Sequence, residues 1–227
     1  MVKIKICGIT NWSDARRAVE AGADFLGFNF YRGSSRYIAP AAARRIVQRL
    51  PEKVASVGVF VNEPEQEMLA IARRVGLDYV QLHGDETAEV VSRVRRSFRV
   101  IKAIRVRGSF RVAQLANFRR ASSILLDGFD SRLRGGTGKS FNWKLAKSAG
   151  RKRQIFLAGG LTPENAAEAV SAARPFAIDV CSGVESRPGK KDVVRMRALV
   201  AAVRTVSTNH RTNAARAVNQ ARRKRRA

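Results

Sequence analysis

The chain has 227 residues, 45% of them hydrophobic and 27% charged, and a formal net charge of +26. That length and composition suit one domain of barrel size or two small ones, and no apolar run of about 18 residues is present to span a bilayer. Two cysteines make no disulfide framework and fit a reducing cytoplasm. The opening residues, with Lys3 and Lys5, read as a strand and lack a signal-peptide apolar region.

In chain order, strands are predicted at 2–8, 24–30, 54–61, 78–83, 99–104, 122–127, 153–158 and 176–181. In the first, Val2, Ile4 and Ile6 share one face and Lys3, Lys5 and Cys7 the other. It runs into Gly8 and then Thr10 to Asp14, a helix start with several candidate caps. Helical patterns fall at 12–21, 39–50, 64–75, 86–96, 109–117, 142–149, 163–173 and about 190–205. Thr162-Pro163 reads as a cap followed by proline at the first helical position. Eight strands alternating with eight helices imply parallel pairing with helices outside. Eight near-equal units favour a closed (β/α)8 TIM barrel, a single domain over 1–206, against an open doubly wound sheet.

The tail 207–227 carries seven basic side chains, no acid and no aromatic. It has no apolar stripe to bury, and disorder or a frayed helix is expected. The positive field attracts polyanions and phosphorylated metabolites alike. Without aromatics among the tail's basic residues, and with Arg16-Arg17, Arg44-Arg45, Arg73-Arg74 and Arg95-Arg96 on outer helix faces, a solvated arginine-rich surface is favoured over nucleic-acid contact through the tail.

Barrel chemistry collects at the C-terminal strand ends. Here those positions are Cys7, Asn29, Val61, His83, Arg105, Asp127, Ala158 and Asp179. A thiol, an imidazole, a guanidinium and two carboxylates at corresponding places point to an active site. Cys7 alone fits either a buried packing residue or a reactive group. Gly159-Gly160 follows the seventh strand and Ser182-Gly183 the eighth, where backbone N–H groups can approach a phosphate. Gly135-Gly136-Thr137-Gly138-Lys139 lacks nucleotide P-loop spacing and reads either as an active-site lid or as a plain connection.

Eight motifs then occur in order: Lys5-Ile-Cys-Gly-Ile-Thr10, Ser35-Arg-Tyr-Ile38, Gly58-Val-Phe-Val-Asn62, Val80-Gln-Leu-His-Gly84, Leu126-Asp127, Gly135-Gly-Thr-Gly138 with Phe141-Asn-Trp143, Leu157-Ala-Gly-Gly-Leu-Thr-Pro-Glu-Asn165, and Asp179-Val-Cys-Ser-Gly-Val-Glu185. Over about residues 2–205 the chain resembles the phosphoribosylanthranilate isomerase family of tryptophan biosynthesis. The resemblance implies an Amadori rearrangement of N-(5-phosphoribosyl)anthranilate that needs no cofactor and no metal. It further implies Asp127 as general acid on the ribose ring oxygen and Cys7, as thiolate, as general base at C2. Arg36 matches the residue that meets the anthranilate carboxylate, a pairing suited to a guanidinium. Phosphate falls to Gly159, Gly160, Ser182 and Gly183, while His83 reads either as lining the aromatic pocket or as a polar rim residue.

Strand parity puts Lys5 one layer below Cys7, where its charge favours thiolate unless it is paired purely for packing. The same parity aims Asp179 into the lumen, as a substrate-site residue placed to raise the Asp127 pKa by like-charge repulsion. Two positions depart from the family pattern: Cys181, where serine is more frequent, and Asn142, where aspartate is usual. Strand eight neighbours strand one in a closed barrel, so Cys7 and Cys181 can oxidise to a disulfide if their Cα atoms lie within about 7 Å. The histidine-pathway sugar isomerase shares fold and chemistry but has aspartate where Cys7 stands. A tryptophan synthase α-type lyase shares the phosphate loops and uses other carboxylates. A basic binding protein on an enzyme scaffold predicts broken catalytic positions, and these are intact. The sequence leaves the oligomeric state, monomer or homodimer, open.

Overall fold

The computed structural model describes residues 1–106, 110–128, 143–151 and 153–206. Eight parallel strands close into a barrel in sequence order. They are β1 (Lys3–Ile6), β2 (Phe25–Asn29), β3 (Ala55–Phe60), β4 (Tyr79–Leu82), β5 (Arg99–Arg105), β6 (Ser123–Asp127), β7 (Ile155–Ala158) and β8 (Ala177–Val180). The seam is the β1–β8 pair, with Lys5 opposite Asp179 and Ile6 opposite Val180. Helices α1 (Trp12–Ala21), α2 (Pro40–Val47), α3 (Glu65–Val75), α4 (Ala88–Val94), α5 (Trp143–Gly150) and α6 (Ala166–Ala173) follow successive strands, except after β5. There the predicted helix 109–117 is a 3-10 segment, Val112–Phe118. A last helix, α7, spans 193–206.

Alternation along each strand sorts the side chains into two cores. Ile4, Ile6, Leu26, Phe28, Ile124, Leu126, Ile178 and Val180 face outward and pack with the helices. Phe25, Val57, Ile101, Leu125, Phe156 and Ala177 fill the lumen. Edge-on contacts of Phe25 with Tyr79 and of Phe25 with Phe156, at 5.6 and 5.3 Å between centroids, plug its lower end. Asp127 and Asp179, two residues further along β6 and β8 than Leu125 and Ala177, therefore stand on a packed floor.

Two boundaries differ from the predicted ones. Pro163 does not open α6, which starts at Ala166. The Asn165 side chain accepts from Thr162 N (2.9 Å) and donates to the Gly160 carbonyl (3.0 Å), closing a separate turn over 162–165. The predicted helix from about 190 starts later because β9 (Glu185–Arg187) and β10 (Lys190–Lys191) form a hairpin turned at Pro188-Gly189. This hairpin is tied to the β1–α1 loop and α1: Thr10 donates to the Gly189 carbonyl (2.7 Å), and buried Asp14 accepts from Lys190 Nζ (3.0 Å) and Lys191 N (2.9 Å). Among the described residues, no helix is long and apolar enough to cross a membrane. The Gly135–Lys139 loop, Asn142 and the tail 207–227 lie outside the described residues.

Candidate active site

Cys7 follows β1 at the mouth of the barrel, partly exposed, with its N–H bonded to the Val180 carbonyl (2.8 Å). Its thiol pKa is lowered well below the ordinary 9.0. The leading cause is the neighbouring Cys181 thiol, which outweighs the cost of burial with help from the charges of Lys5 and Lys191; the Cys181 Sγ itself lies 3.8 Å from Glu185 Oε1. Cys181 correspondingly keeps its proton, its own pKa raised by the neighbouring Cys7 and by burial. Both cysteines are free thiols.

Lys5 is fully buried beneath Cys7, its Nζ 2.9 Å from Asp179 Oδ1. Burial works against its ammonium, but the charges of Asp179 and Cys7 prevail and raise its pKa. Asp179 sits inside β8 in that lower layer and not at the strand end. Burial pushes its carboxyl up to about 6 despite Lys5 beside it, and the other charges that bear on it are those of Cys7 and His83.

Asp127 ends β6, and β7 and β8 separate it from β1 around the barrel. His83 Nε2 lies 3.4 Å from Asp127 Oδ2, and His83 Nδ1 lies 2.8 Å from Gln81 Nε2. Gln81, two residues before His83 on the lumen side of β4, is fully buried, and its Oε1 has no hydrogen-bond partner. The loop carrying His83 is pinned from below. Lys102, on β5, donates to the Gly84 carbonyl (2.7 Å) and to Glu86 (2.8 Å), while Glu86 accepts from the N–H groups of Asn62 and Gly84.

Arg36 is reached through Glu185. Its Nη2 donates to Glu185 Oε2 at 2.7 Å, and Lys191 Nζ donates to the other oxygen at 2.8 Å. Glu185 and Lys191 are both buried at the side chain, so one carboxylate bridges two cations and balances one of their two charges. Cys181 Sγ and the Arg36 side chain close over Gly8, within 2.9 and 3.0 Å of where a Cβ would stand. Cys7, Cys181 and Arg36 thus share one side of the mouth.

Next to them, a cleft of about 350 Å³ is lined by Gly160, Leu161, Thr162, Ser182, Gly183, Arg195 and Glu185, the last already paired with Arg36 and Lys191. Gly159 and Gly160 take φ of 96° and 65°, a turn that exposes backbone. A Cβ on Gly183 would collide with the Leu161 carbonyl oxygen, so only glycine lets the two loops meet this closely. Arg195 Nε donates to the Gly183 carbonyl at 2.9 Å. Backbone donors and a guanidinium around an open cleft suit an anion. Among the described residues, no group of three or more His, Cys, Asp and Glu side chains could hold a metal ion.

A thiol and a carboxylate thus stand on one barrel mouth, with a cleft suited to an anion beside the ends of β7 and β8. The family model described as N-(5'phosphoribosyl)anthranilate (PRA) isomerase matches residues 4–202. The chain belongs to this isomerase family. It is therefore an isomerase of tryptophan biosynthesis, as the motifs implied. The N-(5'-phosphoribosyl)anthranilate isomerase of Trichlorobacter lovleyi is 50% identical over 201 residues, 88% of this chain and 97% of that protein. The solved phosphoribosyl anthranilate isomerase of Thermotoga maritima is 45% identical, with a TM-score of 0.83 over 90% of this chain and all of that one. Another solved phosphoribosyl anthranilate isomerase, 43% identical with a TM-score of 0.81 and the same coverage, is in complex with reduced 1-(o-carboxyphenylamino)-1-deoxyribulose 5-phosphate.

Of the residues singled out in the isomerase sequence, the structure brings Cys7, Arg36 and the 159–160 and 182–183 loops to one region, with His83 on Asp127. Asp179 lies below them. Glu185, Lys191, Gln81 and Arg195 were missed. Gln81 had a signal, a polar residue at the lumen parity of His83. Glu185 closes the Asp179–Glu185 motif, and Lys191 had only the Pro188-Gly189 turn before it, which marks a hairpin.

Proposed function

We propose that the chain rearranges N-(5'-phosphoribosyl)anthranilate to 1-(2-carboxyphenylamino)-1-deoxyribulose 5-phosphate, with Asp127 as general acid and Cys7 as general base. The substrate class follows from the family and from the ligand held by its solved relative. The observation that carries the residue assignment is the surroundings of Cys7: the Cys181 thiol and two buried ammonium groups, Lys5 and Lys191, hold its pKa well below the ordinary thiol value and so favour the thiolate. A neutral thiol in that place would be a poor base.

The phosphate docks on the backbone of Gly159, Gly160, Ser182 and Gly183, which fixes the sugar across the mouth. Arg36, held by Glu185, receives the anthranilate carboxylate. Asp127 gives its proton to the ring oxygen, and the sugar opens to a protonated Schiff base. That electron sink acidifies the C2 proton, which Cys7 removes to give the enolamine, and the enolamine becomes the ketone. His83 orients Asp127 from 3.4 Å. Asp179 serves the site through Lys5, keeping an ammonium in the lumen under the thiolate.

The test is the loss of substrate fluorescence on addition of the purified full chain. Turnover in a metal-free, cofactor-free buffer is expected. No turnover there overturns the reading.

A further inference from the structure

Cys181 is a partly exposed nucleophile that this mechanism does not consume. It follows β8 as Cys7 follows β1, and the preceding residues, Ile6 and Val180, are register partners across the seam. Paired strands run roughly 5 Å apart, and disulfides span Cα separations of about 4.4–6.8 Å. The two side chains leave their strands on the same, lumen-facing side, at matching positions across the seam. Both residues are partly exposed at the open end of the barrel, where a small oxidant can reach them.

We propose that Cys7 and Cys181 form a reversible disulfide when the enzyme meets a hydroperoxide, and that this bond switches the active site off. The Cys7 sulfur attacks the peroxide oxygen; the S–O bond forms, the O–O bond breaks, and the alcohol or water leaves after taking up a proton. Cys181 then gives its proton to the departing hydroxide and attacks Cys7 Sγ; the S–S bond forms, the S–O bond breaks and water leaves. The two thiols lose two electrons in all, and the peroxide gains them.

Three features of the seam favour this outcome over irreversible oxidation. Cys7 is the thiolate of the pair, so it is the sulfur that reacts first. Cys181 leaves the adjoining strand at the position matching Cys7, so the resolving sulfur stands beside it with both strands in place, its own thiol 3.8 Å from Glu185 Oε1. Lys191 Nζ lies 3.8 Å from Cys181 Sγ and 2.8 Å from Glu185, positive charge that stabilises the Cys181 thiolate during the second step. The loss of turnover rests on the reading of Cys7 as the base; the formation of the bond does not.

The experiment exposes the full-length protein to hydrogen peroxide, then measures turnover, free thiols after denaturation and intact mass, before and after dithiothreitol. Expected for the wild type are disappearance of both thiols, a mass lower by two hydrogens, a loss of rate of about 10²-fold or more, and recovery with dithiothreitol. Cys181→Ser, referred to its own unoxidised rate, should instead gain oxygen on Cys7 and recover poorly once sulfinic acid forms. Wild-type protein that gains oxygen with no S–S bond, or that recovers no better than Cys181→Ser, overturns the proposal. A disulfide that leaves turnover intact overturns the switch. Cys7→Ser assayed alongside then shows whether the base assignment falls with it: an inactive variant keeps the assignment, an active one removes it.

Discussion

Replacing Lys5 by methionine should expose what the lumen charge pair costs and what holds it in balance. Methionine matches the length of the aliphatic stem, so packing changes little and the ammonium is what disappears. Asp179 is left behind at 9% exposure. With Lys5 present, its carboxyl sits at about 6 against an ordinary 3.8, a gap worth about 3 kcal/mol at about 1.4 kcal/mol per pH unit. The folded value lies above the unfolded one, so stability tied to this proton is fully present below pH 3.8 and is lost as pH rises through about 6. Without Lys5 the folded value climbs further, and the loss at pH 8 deepens. Breaking a buried pair from one side costs about 3–5 kcal/mol, so Lys5→Met should be less stable than wild type by about that much at pH 8. At pH 5, where Asp179 is already protonated, the deficit should shrink toward zero. Urea unfolding at the two pH values reads both numbers, and Lys5→Met/Asp179→Asn should recover most of the loss at pH 8. An equal deficit at pH 5 and pH 8, or a double variant no better than the single one, refutes the reasoning.

Glu185→Gln frees the Arg36 guanidinium and should raise KM about tenfold, the weight of one charged hydrogen bond, with a smaller change in kcat; steady-state kinetics that show a fall in kcat alone contradict the clamp. Gly183→Ala drives a Cβ into the Leu161 carbonyl and should weaken competitive inhibition by inorganic phosphate about tenfold or more; unchanged inhibition moves the phosphate site elsewhere. Lys191→Met removes a charge that lowers the Cys7 pKa, so the pH midpoint for alkylation of Cys7 by iodoacetamide, read by peptide mass, should move up. A midpoint that stays in place removes Lys191 from the activation of the thiolate.

Local periodicity carried most of the fold. Alternation over Val2–Cys7 placed Lys5 and Cys7 on one face, and the same parity placed Asp179 and Cys181 on theirs, because a strand has no other way to arrange them. What it did not carry were contacts between distant parts of the chain. Arg36 and Glu185 stand 149 residues apart, and nothing near either announces the other. The second hairpin strand, Lys190–Lys191, was absorbed into the last helix because Val193, Met196 and Val200 set a helical period that runs up to it. Pro163 looked like a helix start, yet the Asn165 side chain closes its own turn first. Asp179 was placed at the strand end beside the chemistry, but β8 continues to Val180 and leaves the carboxylate one layer down, where Lys5 takes it.

The most direct measurement compares kcat for wild type, Cys7→Ser and Asp127→Asn on N-(5'-phosphoribosyl)anthranilate by loss of fluorescence. A positioned acid or base contributes about 10²–10⁴-fold, so each variant should fall by at least about 10²-fold with KM little changed. Wild-type turnover with either variant within about tenfold of it contradicts the assignment of that residue to the proton transfer.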